Sequence, residues 1–217
     1  MQMRGFLFLY EEGGDSVSER TNQLYNLYDY NDKRVVGKYN IPVLKGSEVI
    51  PAGLQGFNYM MSKPDYSKGV HFYLDDYQFE RMWVRPTQYI KKLLDFPCVL
   101  SPDFSLYLDM PIAMQIWNVY RSRFLGQMME SAGIEVIPTV SWSTSESYAF
   151  CFDGLPKNSV LSISTIGVKR NKEALKLFQQ GISEMIKQLM PQCILCYGGE
   201  NEQERSNWFN NESPKLQ

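Results

Sequence analysis

From residue 36 onward the chain repeats one pattern. Short apolar runs of four to six residues recur, and many are separated by longer stretches with helical spacing. The runs are Ile41–Leu44, Val70–Asp75, Cys98–Ser101, Glu135–Val140, Val160–Thr165 and Cys193–Gly198. Each is nearly continuous rather than alternating, as expected of strands covered on both faces. Pro86 suits the first turn of a helix running to Phe96, and Pro111 the first turn of one ending near Gly133. Asn171 can cap a helix to Met190, where Pro191 stops it. In that last helix Leu175, Phe178, Ile182, Met185, Ile186 and Leu189 form one apolar stripe.

Strand–helix–strand repetition implies parallel pairing with right-handed crossovers. The predicted fold class is α/β: parallel β/α units forming a small or incomplete TIM-barrel-like domain, with an open doubly wound sheet as the second choice. Two features favour the barrel. No Gly-rich phosphate fingerprint follows any strand. Polar residues also gather just after the strands, where barrel sites are built. Residues 1–35 read as an irregular N-terminal segment rich in tyrosine and charge, with a short strand at Phe6–Tyr10. Residues 36–199 read as a single α/β domain and 200–217 as a flexible polar tail.

Composition narrows the chemistry. The 217 residues are 44% apolar and 21% charged, ordinary for a globular chain that needs no metal or disulfide to stabilise it. Twenty-two basic and 24 acidic side chains give a net charge of −2, which argues against coating nucleic acid or an anionic membrane. A patch at Lys169, Arg170 and Lys172 could still touch phosphates. There is one histidine, His71, so multi-histidine metal sites are excluded. In the run VHFYL it reads as a core residue. Four cysteines do not make a secreted framework, and the CxxC at Cys193 and Cys196 lies inside an apolar strand, as structural thiols do. The Phe6–Tyr10 run is too short for a signal-peptide core, and no uninterrupted apolar stretch reaches a membrane span. Asn211 to Ser213 matches a glycosylation acceptor by chance. The expected location is cytoplasmic.

The strongest chemical signal is acidic. Asp75 and Asp76 end the second run, Asp103 follows the third in SPDF, Asp109 lies six residues on, and Glu200 follows the last. On neighbouring parallel strands these carboxylates converge on one rim. There Asp75 and Asp103 could hold Mg²⁺ or Mn²⁺, or crowded carboxylates could act as an acid/base pair. The alternative is that aspartates after strands are helix caps and turn formers. On the long helix, Gln115, Asn118 and Ser122 form a polar strip beside Arg121. Arg121 could meet an anionic substrate or pair internally with Asp103 or Asp109. In the loop SWSTSES, Ser143 could hydrogen-bond substrate oxygens while Trp142 stacks on a ring, or the loop could be solvated. The candidate catalytic set is thus Asp75, Asp103, Asp109 and Arg121; Asn118, Trp142, Ser143 and Glu200 are the candidate substrate-binding set. No nucleophile elbow, Walker loop or dinucleotide fingerprint occurs.

The strings FYLDDYQFERMW, LSPDFSLYLDMP, QIWNVYRSRFLG, VIPTVSWS, FCFDGLPKNS and CYGG, in this order, resemble a family catalogued as domain of unknown function 4417. The resemblance covers roughly residues 38–199. It implies a protein of bacteriophages, conjugative elements or the bacteria that carry them, concerned with replication, DNA metabolism or conflict with host defence. It implies no activity.

Two function classes follow. One is a metal-dependent hydrolase acting on a nucleotide or nucleic-acid phosphate, with a metal-activated water as attacker. The other is a non-enzymatic binding module that engages a host or element protein, as a replication accessory or counter-defence factor. The 14% aromatic content, including 14 tyrosines, suits such a surface.

Overall fold

The computed structural model describes residues 15–168 and 172–198. The expected strand at Phe6–Tyr10, the cap at Asn171, the basic pair Lys169 and Arg170, the acceptor at Asn211 and the tail 200–217 lie outside the described residues. The chain divides into two units, Met1–Tyr30 and Asn31–Gln217. In the first, helix α1 (Asp15–Leu24) precedes a 3-10 turn at Leu27–Asp29. The helix falls where an irregular segment is expected. Its sequence, DSVSERTNQL, has only two apolar residues and therefore no periodic stripe to read.

In the second unit, β1 (Val35–Val36) pairs antiparallel with β2 (Ile41–Pro42). The run at Ile41 is therefore a hairpin arm rather than a member of the parallel set. Pro42 has no N–H to give a sheet interior, which suits a short edge pair. The parallel sheet opens instead with β3 (Leu54–Gly56), a three-residue strand too short to register as an apolar run. It continues through β4 (Gly69–His71), helices α2 (Glu80–Val84) and α3 (Pro86–Leu93), and β5 (Val99–Leu100). Then come helix α4 (Ile112–Ser131), β6 (Val136–Ile137), helix α5 (Tyr148–Cys151), β7 (Val160–Ser164), helix α6 (Lys172–Leu189) and β8 (Cys193–Tyr197).

β3, β4, β5 and β6 form a four-stranded parallel sheet in sequence order, and β7 and β8 form a parallel pair. A parallel bridge between Thr139 and Ser162 links the extension of β6 to β7. No strand reverses this order among the described residues, so the switch point of a doubly wound sheet is missing. Nor does β3 pair with β8 to close a barrel. One buried cluster nevertheless collects Tyr73, Cys98, Leu100, Ile137, Val160 and Cys193, with Leu54 and Leu195 packed on it, so all six parallel strands or their ends contribute. A second cluster lies under α6, where Phe178, Ile182, Met185 and Leu189 meet Leu161, Ile163 and Ile194. No described helix is long and apolar enough to cross a membrane.

The strands are shorter than the apolar runs that mark them. β4 stops at His71 because the Leu74 N–H turns back to the Phe72 carbonyl, and a 3-10 turn at Asp76–Gln78 follows. This early exit brings Tyr73, Leu74 and Asp75 to the carboxyl end of the sheet.

Candidate active site at the strand ends

A cavity of about 690 Å³ opens where the carboxyl ends of β4 to β7 meet the start of α6. Tyr73 and Asp75 reach it from β4, Asp103 and Ser105 from β5, and Ser141, Trp142 and Ser143 from β6. Ser164 and Val168 come from β7, and Leu177 and Phe178 from α6. Its volume suits a small organic ligand.

Asp103 is the chemically distinctive group. It is half-buried, and loss of water raises its pKa from 3.8 to about 7, aided by the negative charge of Asp76. A hydrogen bond with Ser141 and the positive charge of Arg123 oppose the rise without cancelling it. The carboxyl therefore changes charge near neutrality. Beside it, the Tyr73 phenol is pushed upward by burial and by Asp103. Its oxygen lies 2.6 Å from Ser162 Oγ, and Ser162 in turn donates to the Leu195 carbonyl. That chain fixes Tyr73 as the donor to Ser162. Ser143 is buried, and its backbone N–H donates to Ser147 Oγ while its own Oγ has no partner in the protein.

The wall is held from behind by α4. Asp76 accepts two backbone contacts from the Ser105 N–H at 3.2 Å and one from Ser105 Oγ at 2.8 Å, tying the exits of β4 and β5 together. Asn118 donates to the Ser105 carbonyl at 2.8 Å, and Gln115 donates to the Met110 carbonyl at 2.9 Å. Arg123 donates to the Thr139 and Cys151 carbonyls, bracing the exit of β6 against α5. The polar strip of α4 is therefore buried bracing for strand-end loops, and Asn118 does not line the cavity.

Arg121 pairs at 2.6 Å with Glu80, not with Asp103 or Asp109. Glu80 opens α2 on the same side, whereas Asp103 faces the cavity and Asp109 sits exposed in a turn outside it. Arg121 also donates to Asn118 Oδ1 and lies 3.9 Å above the Phe104 ring, an internal cation held through both terminal nitrogens. Asp75 lines the cavity, is exposed, and makes no capping hydrogen bond. Asp76 performs the turn-forming work that either aspartate could have done. Trp142 stacks on Phe178 with centroids 5.3 Å apart and builds the apolar wall. Glu200 lies outside the described residues. Of the expected residues, the structure thus brings Asp75, Asp103, Trp142 and Ser143 together and leaves Asp109, Asn118 and Arg121 elsewhere.

No group of three metal-ligating side chains assembles among the described residues, so no third His, Cys, Asp or Glu joins Asp75 and Asp103 there. His71 is buried, accepts the Tyr73 N–H at 3.1 Å through Nδ1, and is lowered by burial to a pKa of about 4, a neutral core residue. All four cysteines are free of disulfides; burial raises Cys151 to about 12, which makes it inert as a nucleophile.

The family model described as domain of unknown function (DUF4417) matches residues 33–211. The chain belongs to this family. Every cavity-lining residue of the DUF4417 match falls inside that span. The chain is also 43% identical over 164 residues to the Gene 1 protein of Mycobacterium phage L5, covering 74% of this chain and 71% of that one. It is 40% identical over 164 residues to the Gene 1 protein of Mycobacterium phage D29, covering 74% of this chain and 60% of that one. No solved structure gives a significant match. The kinship is therefore with phage proteins, as the sequence motifs imply.

Several polar residues of the cavity are not singled out by the sequence, among them Tyr73, Gln78, Ser105, Ser141 and Ser164. Tyr73, Ser141 and Ser164 fall at or just past the ends of apolar runs, and that position is the signal that could have found them.

Proposed function

We propose that this member of a phage-associated family is an enzyme acting on a small molecule in the strand-end cavity, with Asp103 as its proton-transferring group. The observation that carries this reading is a half-buried carboxyl with a pKa of about 7, facing a cavity large enough for a substrate. Ser141 orients Asp103 through a hydrogen bond, and Trp142 and Phe178 supply an apolar wall. The sequential parallel strands and their shared inner cluster support an incomplete TIM-barrel-like scaffold, in which strand-end sites are the rule. On this reading the protein acts in the cytoplasm.

The finer reading, a Mg²⁺- or Mn²⁺-dependent hydrolase of a nucleotide or nucleic-acid phosphate, draws on Asp75 and Asp103 sharing the cavity. It is the weaker form, because no Lys, Arg or His is among the described lining residues to meet a phosphate. Incubating the full chain with a pool of small metabolites, with and without Mg²⁺ or Mn²⁺, and following it by mass spectrometry tests both. Wild type should convert a component that Asp103→Asn leaves untouched. Turnover that survives in Asp103→Asn would contradict the assignment.

One observation favours a second reading, a binding module for a host or element protein. Tyr107, Leu108, Met114 and Trp117 stand exposed on the 105–111 loop and the first turns of α4. Met114→Ser, which lies off the cavity lining, should weaken co-purification of a partner if this face binds one, and should leave the metabolite conversion intact.

A further inference from the structure

The cavity's lining says what kind of ligand it takes, given that it is a substrate site as proposed above. Two acidic side chains line it, Asp75 and Asp103, with no cation among the described lining residues; the positive charge of Arg123 reaches Asp103 from outside the lining. Arg123 is not on the lining, and its two terminal nitrogens donate to carbonyls and to Ser122; those of Arg121 are committed to Glu80 and Asn118. Bringing a phosphate or carboxylate into that field costs free energy that no described group returns.

The hydrogen-bonding groups are of mixed type. Ser143 lines the cavity and carries a buried Oγ with no partner in the protein, a side chain only 2% exposed. Leaving such a hydroxyl unmatched is costly, so a ligand atom that satisfies it gains more than the same contact would at the surface. The Asp103 carboxyl, on the same lining, presents an acceptor and, when protonated, an adjacent donor. Donor next to acceptor is the complement of an amide-like edge, the N–H beside C=O or ring nitrogen beside an amino group of a heterocyclic base. One side of the lining is apolar: the Trp142 indole stacked on Phe178, with Leu106, Leu177 and Val168 also on the lining, while Gln78, Ser105 and Ser164 add further polar groups elsewhere on it. Such a wall takes a planar ring.

We infer that the strand-end cavity is a site for an uncharged planar heterocycle with an amide-like edge, of the nucleobase or nucleoside class, recognised by Asp103 and Ser143 against the Trp142–Phe178 wall. This depends on the cavity being the substrate site, but it is tested separately from the chemistry. The groups that bear on Asp103 are Asp76, Arg123, Tyr73 and Ser141, with Asp75 on the same lining; of these, the Tyr73 phenol and the Arg123 guanidinium keep their protons throughout pH 6 to 8.

The test is calorimetric titration of the full chain with uridine, adenosine, their 5′-monophosphates and methyl glucoside. A nucleoside should bind at least about tenfold more tightly than its monophosphate and than the glucoside, and its affinity should fall as pH rises from 6 to 8. Ser143→Ala should weaken it about tenfold, and Asp103→Asn, whose amide keeps one donor beside one acceptor, should remove the pH dependence. Tighter binding of a monophosphate would overturn the inference. So would a glucoside binding as well as a nucleoside, or no binding by any probe. Asp103 titrating near 7 while no nucleoside binds would sink the ligand class and leave the acid/base reading standing. Asp103 titrating near 4 would sink that reading itself.

Discussion

At the scale of single residues, two buried titratable groups shape stability with opposite sign. Asp103 keeps its proton in the folded chain up to a pKa of about 7, whereas an unfolded aspartate loses it near 3.8. The folded state therefore binds more protons between those values, and the stability this confers is full below the lower one and lost as pH rises through 7. Asp103→Asn should be more stable than wild type at pH 8, by about 1–2 kcal/mol, once access through the cavity is allowed for. The gain should vanish near pH 4 in chemical denaturation. His71 works the other way, because its folded pKa of about 4 lies below the ordinary 6.5. Its contribution is present above 6.5 and lost as pH falls toward 4, so His71→Gln should flatten the acid limb of the same profile. A wild-type curve without either limb would refute both burials. Arg121 supplies a structural contrast. Arg121→Ala should cost about 2–3 kcal/mol through lost packing on Phe104 and lost hydrogen bonds, and Glu80→Gln under about 1 kcal/mol because Glu80 keeps water contact. Equal losses in the two would show that the ion pair rather than the packing dominates.

At the scale of elements, α4 and α6 frame the cavity by different means. α6 is legible in the sequence as a single apolar stripe, and four of that stripe's residues, Phe178, Ile182, Met185 and Leu189, are buried together with Gly181. α4 is not, because from Asn118 onward it is buried almost all round and its polar residues are enclosed as braces rather than displayed. A helix that is polar inside gives no periodic contrast, and its Asn118 and Arg121 look like site residues for that reason. The short strands explain the other discrepancies. β3 has three residues between glycines and loops, too few to mark a run, while Ile41 lies in an apolar run whose pairing is set by a hairpin. The close seat of Trp142 on α6 belongs to this scale as well. An ideal Cβ at Gly181 would fall on the Trp142 indole, so the helix must present no side chain there. Gly181→Ala should cost about 1–3 kcal/mol, shift tryptophan fluorescence, and impair the cavity's ligand binding. Unchanged fluorescence and stability would mean that the indole has another seat.

At the scale of the whole molecule, the reading rests on one convergence. The carboxyl ends of consecutive parallel strands meet, and the polar residues placed after those strands meet with them. That convergence is legible from the alternation of apolar runs and helices, and it explains why Asp75, Asp103, Trp142 and Ser143 share a cavity although the linear sequence separates them by up to 68 positions from Asp75 to Ser143 (143 − 75). Which of the carboxylates is chemically unusual is not legible there, because it depends on how much water each keeps: Asp75 is exposed and Asp103 is not. The most direct measurement is therefore a carboxyl-detected carbon NMR titration of the full chain, with Asp103 assigned by comparison with Asp103→Asn. The account predicts a midpoint near 7 for Asp103. A midpoint near the ordinary aspartate value of 3.8 would contradict it and remove the acid/base site on which the proposed function stands.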